Sequence, residues 1–391
     1  MIDKQPEGGG PSYTFKSLPL LQRYYLTQTD GVIGEASLNP ADYWRRSVDH
    51  WGNGAGQLNN DHANSIRSRF RISKGIDCWT PGQISLLHDV TQIYAGTTSE
   101  CTSVMCGDYL YVLGSGTGTN NLQWTLDGVS YTPVTGTAFT AAASLCSDGY
   151  TVWVVDTTTT YYTTRGAATY ATWFAAPRPG ALVRTVKGRL FVFSGTTIYT
   201  SSGAAGAATA TAFYTHPNPD FAWTDATGGP TAIYFAGYSG GVSHIYQTAV
   251  TPDGTNLTIP TAAATLPDGE LATAIQGYLG VMLIGSTLGV RIAAIDSQGN
   301  LTVGDLIETN HNGVLCFEPQ SHFVWFGWGA YDGASTGLGR IDLGTFNDSA
   351  PAYASDLMAN FNENVSSVVT FLNKRAFTTG PFVFLESNDR V

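Results

Sequence analysis

GDYLYVLGSGTGTNNLQWTLDG, residues Gly107 to Gly128, is a β-hairpin written in turn residues and apolar runs. A Gly-Asp turn opens it, a mostly apolar run follows, a Gly-rich turn reverses the chain, and a second run ends on Asp-Gly. The same order recurs in SDGYTVWVVDTTTTYYTTRG, Ser147 to Gly166, and in VKGRLFVFSGTTIYTSSG, Val186 to Gly203. Looser copies run from Gly229 to Asp253, Gln276 to Gly299, Asn312 to Gly344 and Val368 to Glu386. Their period, roughly 40 to 50 residues, is that of propeller blades.

One such hairpin is marginal alone in water, so the copies must stack. The spacing predicts an all-β fold, a β-propeller of about seven blades, with six or eight also compatible. A β-sandwich with regular strand spacing is the competing architecture. The final hairpin is short of a full sheet, so the first or last blade is expected to borrow a strand from the other terminus. The division expected is an amino-terminal arm and docking segment over residues 1–95 and a propeller over residues 96–391.

Charged residues make up 13% of the 391-residue chain and the net charge is −11, which opposes nucleic-acid binding because phosphate contacts need clustered Lys and Arg. No apolar run is long enough for a membrane-spanning helix. The start, MIDKQPEGGGPSYTF, lacks the charged and apolar regions of a signal peptide, so synthesis in a cytoplasm is expected. Cys78, Cys101, Cys106, Cys146 and Cys316 show no CxxC spacing and read as buried small apolar residues. The seven histidines never fall at HxH or HxxxH spacing, so neither a metal nor a cofactor is expected.

Nine of the 19 Lys and Arg residues fall in the first 74 positions, which sets the arm apart from the acidic repeats. Within it, ADYWRRSVDHW places Trp44 and Trp51 around Arg45 and Arg46. SIRSRFRIS, Ser65 to Ser73, alternates with a period of two and puts Arg67, Arg69 and Arg71 on one strand face. That row suits either a solvated edge strand that blocks pairing or a strand docked on carboxylates of this protein or a neighbour. Trp44, Arg45, Arg46, Trp51, Arg67, Arg69 and Arg71 are therefore the candidate assembly interface.

The arm also carries a resemblance. DYWRRSVDHWGNGAGQ followed by SIRSRFRISKGIDCWTPGQISLLHD is similar to the start of minor tail proteins from tailed phages of actinobacteria. The shared elements are a GAGQ-type segment at Trp51, Gly54, Ala55, Gly56 and Gln57, an R-x-R-F strand ending at Arg69 and Phe70, and a turn through Gly75, Ile76, Asp77, Pro81, Gly82, Leu86 and Leu87. The resemblance implies a structural virion protein of the tail tip or baseplate. Its partners would be other phage tail proteins and further copies of itself in the virion, with host cell-wall glycan as an additional contact, and no catalysis is implied.

The alternative is a glycan-binding or glycoside-hydrolysing propeller. TLDGVSYTPV, Thr125 to Val134, resembles an Asp-box turn, which shapes a hairpin and does no chemistry. Hydrolysis needs paired carboxylates or a Tyr nucleophile with clustered arginines, whereas the acids here sit mostly in turn-type sequences such as Asp127-Gly128 and Asp148-Gly149. Tyr170, Trp173, Tyr214 and Trp223, set among Thr, Asn and Asp, are candidate glycan contacts, with packing between blades as the other role for these rings.

Overall fold

The computed structural model describes residues 85–86, 88–97, 100–114, 116–118, 121–251, 256–308, 313–329, 336–347, 350–354, 356–357 and 363–390, together with short backbone strands at 2–4, 13–15, 23–24, 44–45, 73–74 and 76–77. Among the described residues there is no helix. Seven antiparallel sheets form the blades of a β-propeller.

The innermost strands, in blade order, are Cys101–Cys106, Phe139–Ser147, Leu182–Val186, Ala222–Gly228, Ala272–Tyr278, Val314–Gln320 and Val365–Phe371. From each, the chain steps outward through successive antiparallel strands. The quoted hairpin supplies Tyr109–Gly114 and Leu122–Thr125, the second and third strands of blade 1. Its copies occupy the same place in blades 2 to 6. In blade 7 the stretch Val368 to Glu386 holds an additional middle strand, Lys374–Thr379.

The outermost strand of blade 7 comes from the other end of the chain. His88–Ala95 pairs antiparallel with Phe382–Arg390, matching Val383 with Tyr94 and Leu385 with Thr91. Ring closure by a borrowed strand is thus realised, and residues 88–95, assigned to the arm by the sequence division, form part of the last blade. Their neighbours Ile76–Asp77 and Ser85–Leu86 make a small hairpin, while Ser73–Lys74 pairs in parallel with Asp356–Leu357. Further upstream, Ile2–Lys4, Tyr13–Phe15, Arg23–Tyr24 and Trp44–Arg45 form a separate sheet.

The continuous apolar runs have a direct cause. A blade's second strand is covered on both sides, so neither face can be polar. In FVF the alternation sorts the side chains: Phe191 and Phe193 join Phe221, Trp223 and Phe235 of blade 4, whereas Leu190 and Val192 join Trp153 and Val155 of blade 2. A comparable apolar cluster fills each of the seven junctions between blades. Burial of this area supplies the main drive for closing the ring.

Turn chemistry fixes the hairpins. Asp127 accepts from the backbone N–H groups of Val129 and Ser130, both at 2.8 Å, and Thr125 Oγ1 accepts from Gly128 N at 2.9 Å. These bonds hold the Asp127 carboxyl below the usual carboxylate range. Asp148, Asp156 and Asp296 cap turns in the same manner. The acids of these stretches are turn formers, as their spacing suggests.

Phe191 is fully buried, with its ring set edge-on to Phe235 at 5.2 Å across the junction of blades 3 and 4. Phe191→Ala should cost about 3–5 kcal/mol of unfolding free energy, read from urea transitions of the two proteins.

Candidate functional site: the central channel

The seven innermost strands enclose a cavity of about 690 Å³. Except in blade 2, where Gly116–Gly118 pairs with Phe139–Ser147, each inner strand is a sheet edge whose channel-side N–H and C=O groups lack a ladder partner. Side chains from neighbouring blades answer many of them. Ser367 Oγ accepts from Ser103 N at 2.9 Å, and Ser366 Oγ donates to Cys101 O at 2.6 Å, joining blades 7 and 1. Ser144 Oγ accepts from Val183 N at 3.3 Å and Thr185 Oγ1 donates to Ser147 O at 2.9 Å, joining blades 2 and 3. Thr273 Oγ1 donates to Val314 O between blades 5 and 6. Glu318 Oε1 accepts from Thr370 N at 3.0 Å between blades 6 and 7.

Local backbone geometry aims these groups. The pairing of the inner strand with its neighbour shifts register between Ala142 and Ser144, Trp223 and Asp225, Val314 and Cys316, and Val365 and Ser367. Such a bulge re-aims the side chain that follows it. Ser144, Asp225 and Ser367 all face the channel at that position and reach the adjacent blade. At blades 4 and 5 the inner strands approach so closely that a Cβ on Gly277 would lie 2.0 Å from Gly228 O. Gly277 N donates instead to Thr227 Oγ1 at 3.2 Å.

Asp225 is the most connected of these groups. Its Oδ1 receives Arg184 Nε of blade 3 at 2.6 Å, and its Oδ2 receives Ile275 N of blade 5 at 3.0 Å. Arg184 Nη1 continues to Ser144 Oγ of blade 2 at 3.1 Å, so one ion pair spans four blades. A second pair, Arg291 with the buried Glu270, is bidentate at 2.8–2.9 Å. Burial pushes the Glu318 carboxyl above its ordinary range, against the hydrogen bonds from Thr370.

The thiols of Cys101, Cys146 and Cys316 also line the channel, and burial raises each to about 12. They are protonated at neutral pH and correspondingly weak nucleophiles. Among the described residues no group of three His, Cys, Asp or Glu side chains comes together as a metal site.

The four aromatic candidates for glycan contact are distributed over three junctions, with Tyr214 and Trp223 sharing one. Tyr170 is buried between blades 1 and 2, stacked on Phe139 at 4.7 Å, with its hydroxyl donating to Thr137 O. Trp173, half-buried, sits edge-on to Trp153 and Tyr162 and donates to Ser201 Oγ at 2.7 Å. Trp223 is buried at the junction of blades 3 and 4, donates to Thr196 O at 3.0 Å, and holds Tyr214 edge-on at 6.1 Å. Packing between blades uses these rings, because each junction needs large side chains to fill it.

The arm candidates fare differently. Trp44 and Arg45 belong to a strand paired with Arg23–Tyr24, of which the backbone alone is described. Arg46, Trp51, Arg67, Arg69 and Arg71 lie outside the described residues. The linked pair Arg184 and Asp225 went unmarked in the sequence, since the two are far apart along the chain and neither lies in a motif.

No protein-family model matches the chain, and no curated protein sequence does. Among solved structures it is similar to a streptogramin B lyase, with 13% identity and a TM-score of 0.53 over 77% of this chain and 98% of that one. The extracellular domain of the putative hybrid two component system BT4673 from B. thetaiotaomicron aligns at 13% identity and a TM-score of 0.55, covering 78% of this chain and 40% of that one. The WD40 propeller domain of Doa1 aligns at 12% identity and a TM-score of 0.51, over 78% and 97% of the two chains. Similarity at this level is one of fold, and the fold is the propeller.

Removing one partner of a largely buried ion pair is costly because the other charge is stranded. Asp225→Ala should lower stability by about 2–3 kcal/mol, a figure reduced for the partial exposure of Arg184. Asp225→Asn, which keeps an acceptor for Ile275 N, should fall between that variant and the wild type in urea denaturation.

Proposed function

We propose that this chain is a structural virion protein, a minor tail protein of the tail tip or baseplate of a tailed phage. The carrying observation is the sequence run Gly75 to Leu87, which resembles the corresponding turn in minor tail proteins of phages infecting actinobacteria. It leads directly into the closing strand His88–Ala95. In this reading the propeller is a rigid body, and the basic arm assembles with other tail proteins and with further copies of the chain. Trp44, Arg45, Arg46, Trp51, Arg67, Arg69 and Arg71 form the assembly surface, and the host cell wall is a secondary contact.

Two features support that division of labour. Nine of 19 basic residues precede residue 75 in a chain of net charge −11, so the arm complements acidic surfaces such as the body of its own protein. The channel charges of Arg184 and Asp225 are engaged with each other and with backbone and hydroxyl groups of adjacent blades, which suits a load-carrying hub.

Deleting residues 1–74 should leave the closing strand in place and a propeller with a cooperative thermal transition. Purified phage particles made with that deletion should lack the protein by immunogold labelling, whereas the full chain should label the tail tip. Incorporation of the deletion variant would remove the assembly role from the arm, and absence of the full chain from particles would remove the virion assignment.

A further inference from the structure

One end of the propeller differs from the other. The turns between the first and second strands of each blade, and between the third and fourth, lie at a common end. Tyr278 Oη donates to Ser321 O, Lys187 Nζ to Pro230 O and Tyr234 Oη to Gly299 O, stitching those turns from blade to blade. On this end stand Leu126, Val129, Tyr150, Ile259, Leu279 and Leu372, from 44% to 83% exposed. The opposite end, among the described residues, exposes Leu288 and Phe382.

Two of these side chains are exposed at a double cost. Leu279 and Leu372 have φ of +47° and +51°, in two-residue turns where Asn and Gly are the usual occupants. A leucine there strains the backbone and presents its side chain to water at 64% and 51% exposure, so neither serves folding. Strain kept at an exposed apolar tip points to a surface that becomes covered.

Charge narrows the occupant. Among the described residues, the turns of this end and the strand residues flanking them carry Asp108, Asp127, Asp148, Asp296 and Asp342 against Arg165, Lys187, Arg189 and Lys374. The opposite end carries Glu100, Asp156, Asp220, Asp268, Glu270 and Glu363 against Arg178 and Arg291. Two chains of net charge −11 repel at most orientations and least through their least charged, most apolar ends.

We infer that this end of the propeller is a self-association surface that receives the same end of a second copy of the chain. A two-fold arrangement satisfies it, since one self-complementary surface then closes the assembly. The surface is separate from the arm, and the inference holds independently of the virion assignment.

Sedimentation-equilibrium analysis of the full chain at several protein and salt concentrations tests it, alongside Leu279→Asn, Leu372→Asn and the double variant. Leu279→Asn restores the Asn-Gly pair favoured in such turns, so the variants should melt at or above the wild-type temperature while the double variant dimerises at least tenfold more weakly. Val129→Lys, remote from the strained turns, should weaken association in the same direction without changing the melting temperature. A wild type that stays monomeric across the range would overturn the inference. So would double and Val129→Lys variants that associate as strongly as wild type, or a surface covered only by a different protein.

Discussion

Closure of the ring rests on one strand pairing, His88–Ala95 against Phe382–Arg390. The partners come from opposite ends of the propeller sequence, so the pairing fixes nearly the whole chain into a loop. Its entropic cost grows only slowly with loop length, and the hydrogen bonds and packing at the seam offset it. Ile93 and Tyr94 of the closing strand pack with Val369, Phe371 and Val383 of blade 7 and with Leu110 and Val112 of blade 1. Tyr94 also stands 4.9 Å from Tyr131, seated beside the Asp127 turn. The closing strand therefore completes a sheet and cements the junction between the first and last blades.

The channel follows from the same circular constraint. Seven inner strands converge on the axis, and unsatisfied backbone groups there would carry a penalty comparable to lost hydrogen bonds. Bulges in the inner strands turn Ser144, Asp225 and Ser367 toward the next blade, and Arg184 answers the carboxylate. In a chain that is only 13% charged, Arg184, Asp225 and Glu318 are placed where they link blades. Such a centre holds blades in register, which fits a part that transmits position rather than one that changes shape.

Much of this was legible in the sequence because it is local. A hairpin carries its turn residues and apolar alternation within about 20 residues, so Asp127-Gly128, VWVV and LFVF announce the turn and the doubly covered strand. Outer strands such as Thr132–Pro133 and Ala171–Thr172 are too short to carry a period. The pairing of Arg184 with Asp225 and the assignment of residues 88–95 to blade 7 are contacts between distant segments, which no spacing encodes. Tyr170, Trp173, Tyr214 and Trp223 were ambiguous for a different reason. Rings beside Thr and Asn are equally suited to grip a sugar or to fill a junction, and only the neighbouring blade, absent from the local pattern, distinguishes the two.

Native-state hydrogen–deuterium exchange of the full chain, resolved at peptides covering 88–95 and 382–390, tests ring closure most directly. If the borrowed strand closes the propeller, the amides of both peptides exchange slowly and rise together in the same cooperative opening as the inner strands of blades 1 and 7. Rapid exchange of 88–95 alongside a protected 382–390 would contradict the closure, leaving blade 7 with three strands and the ring open at its seam.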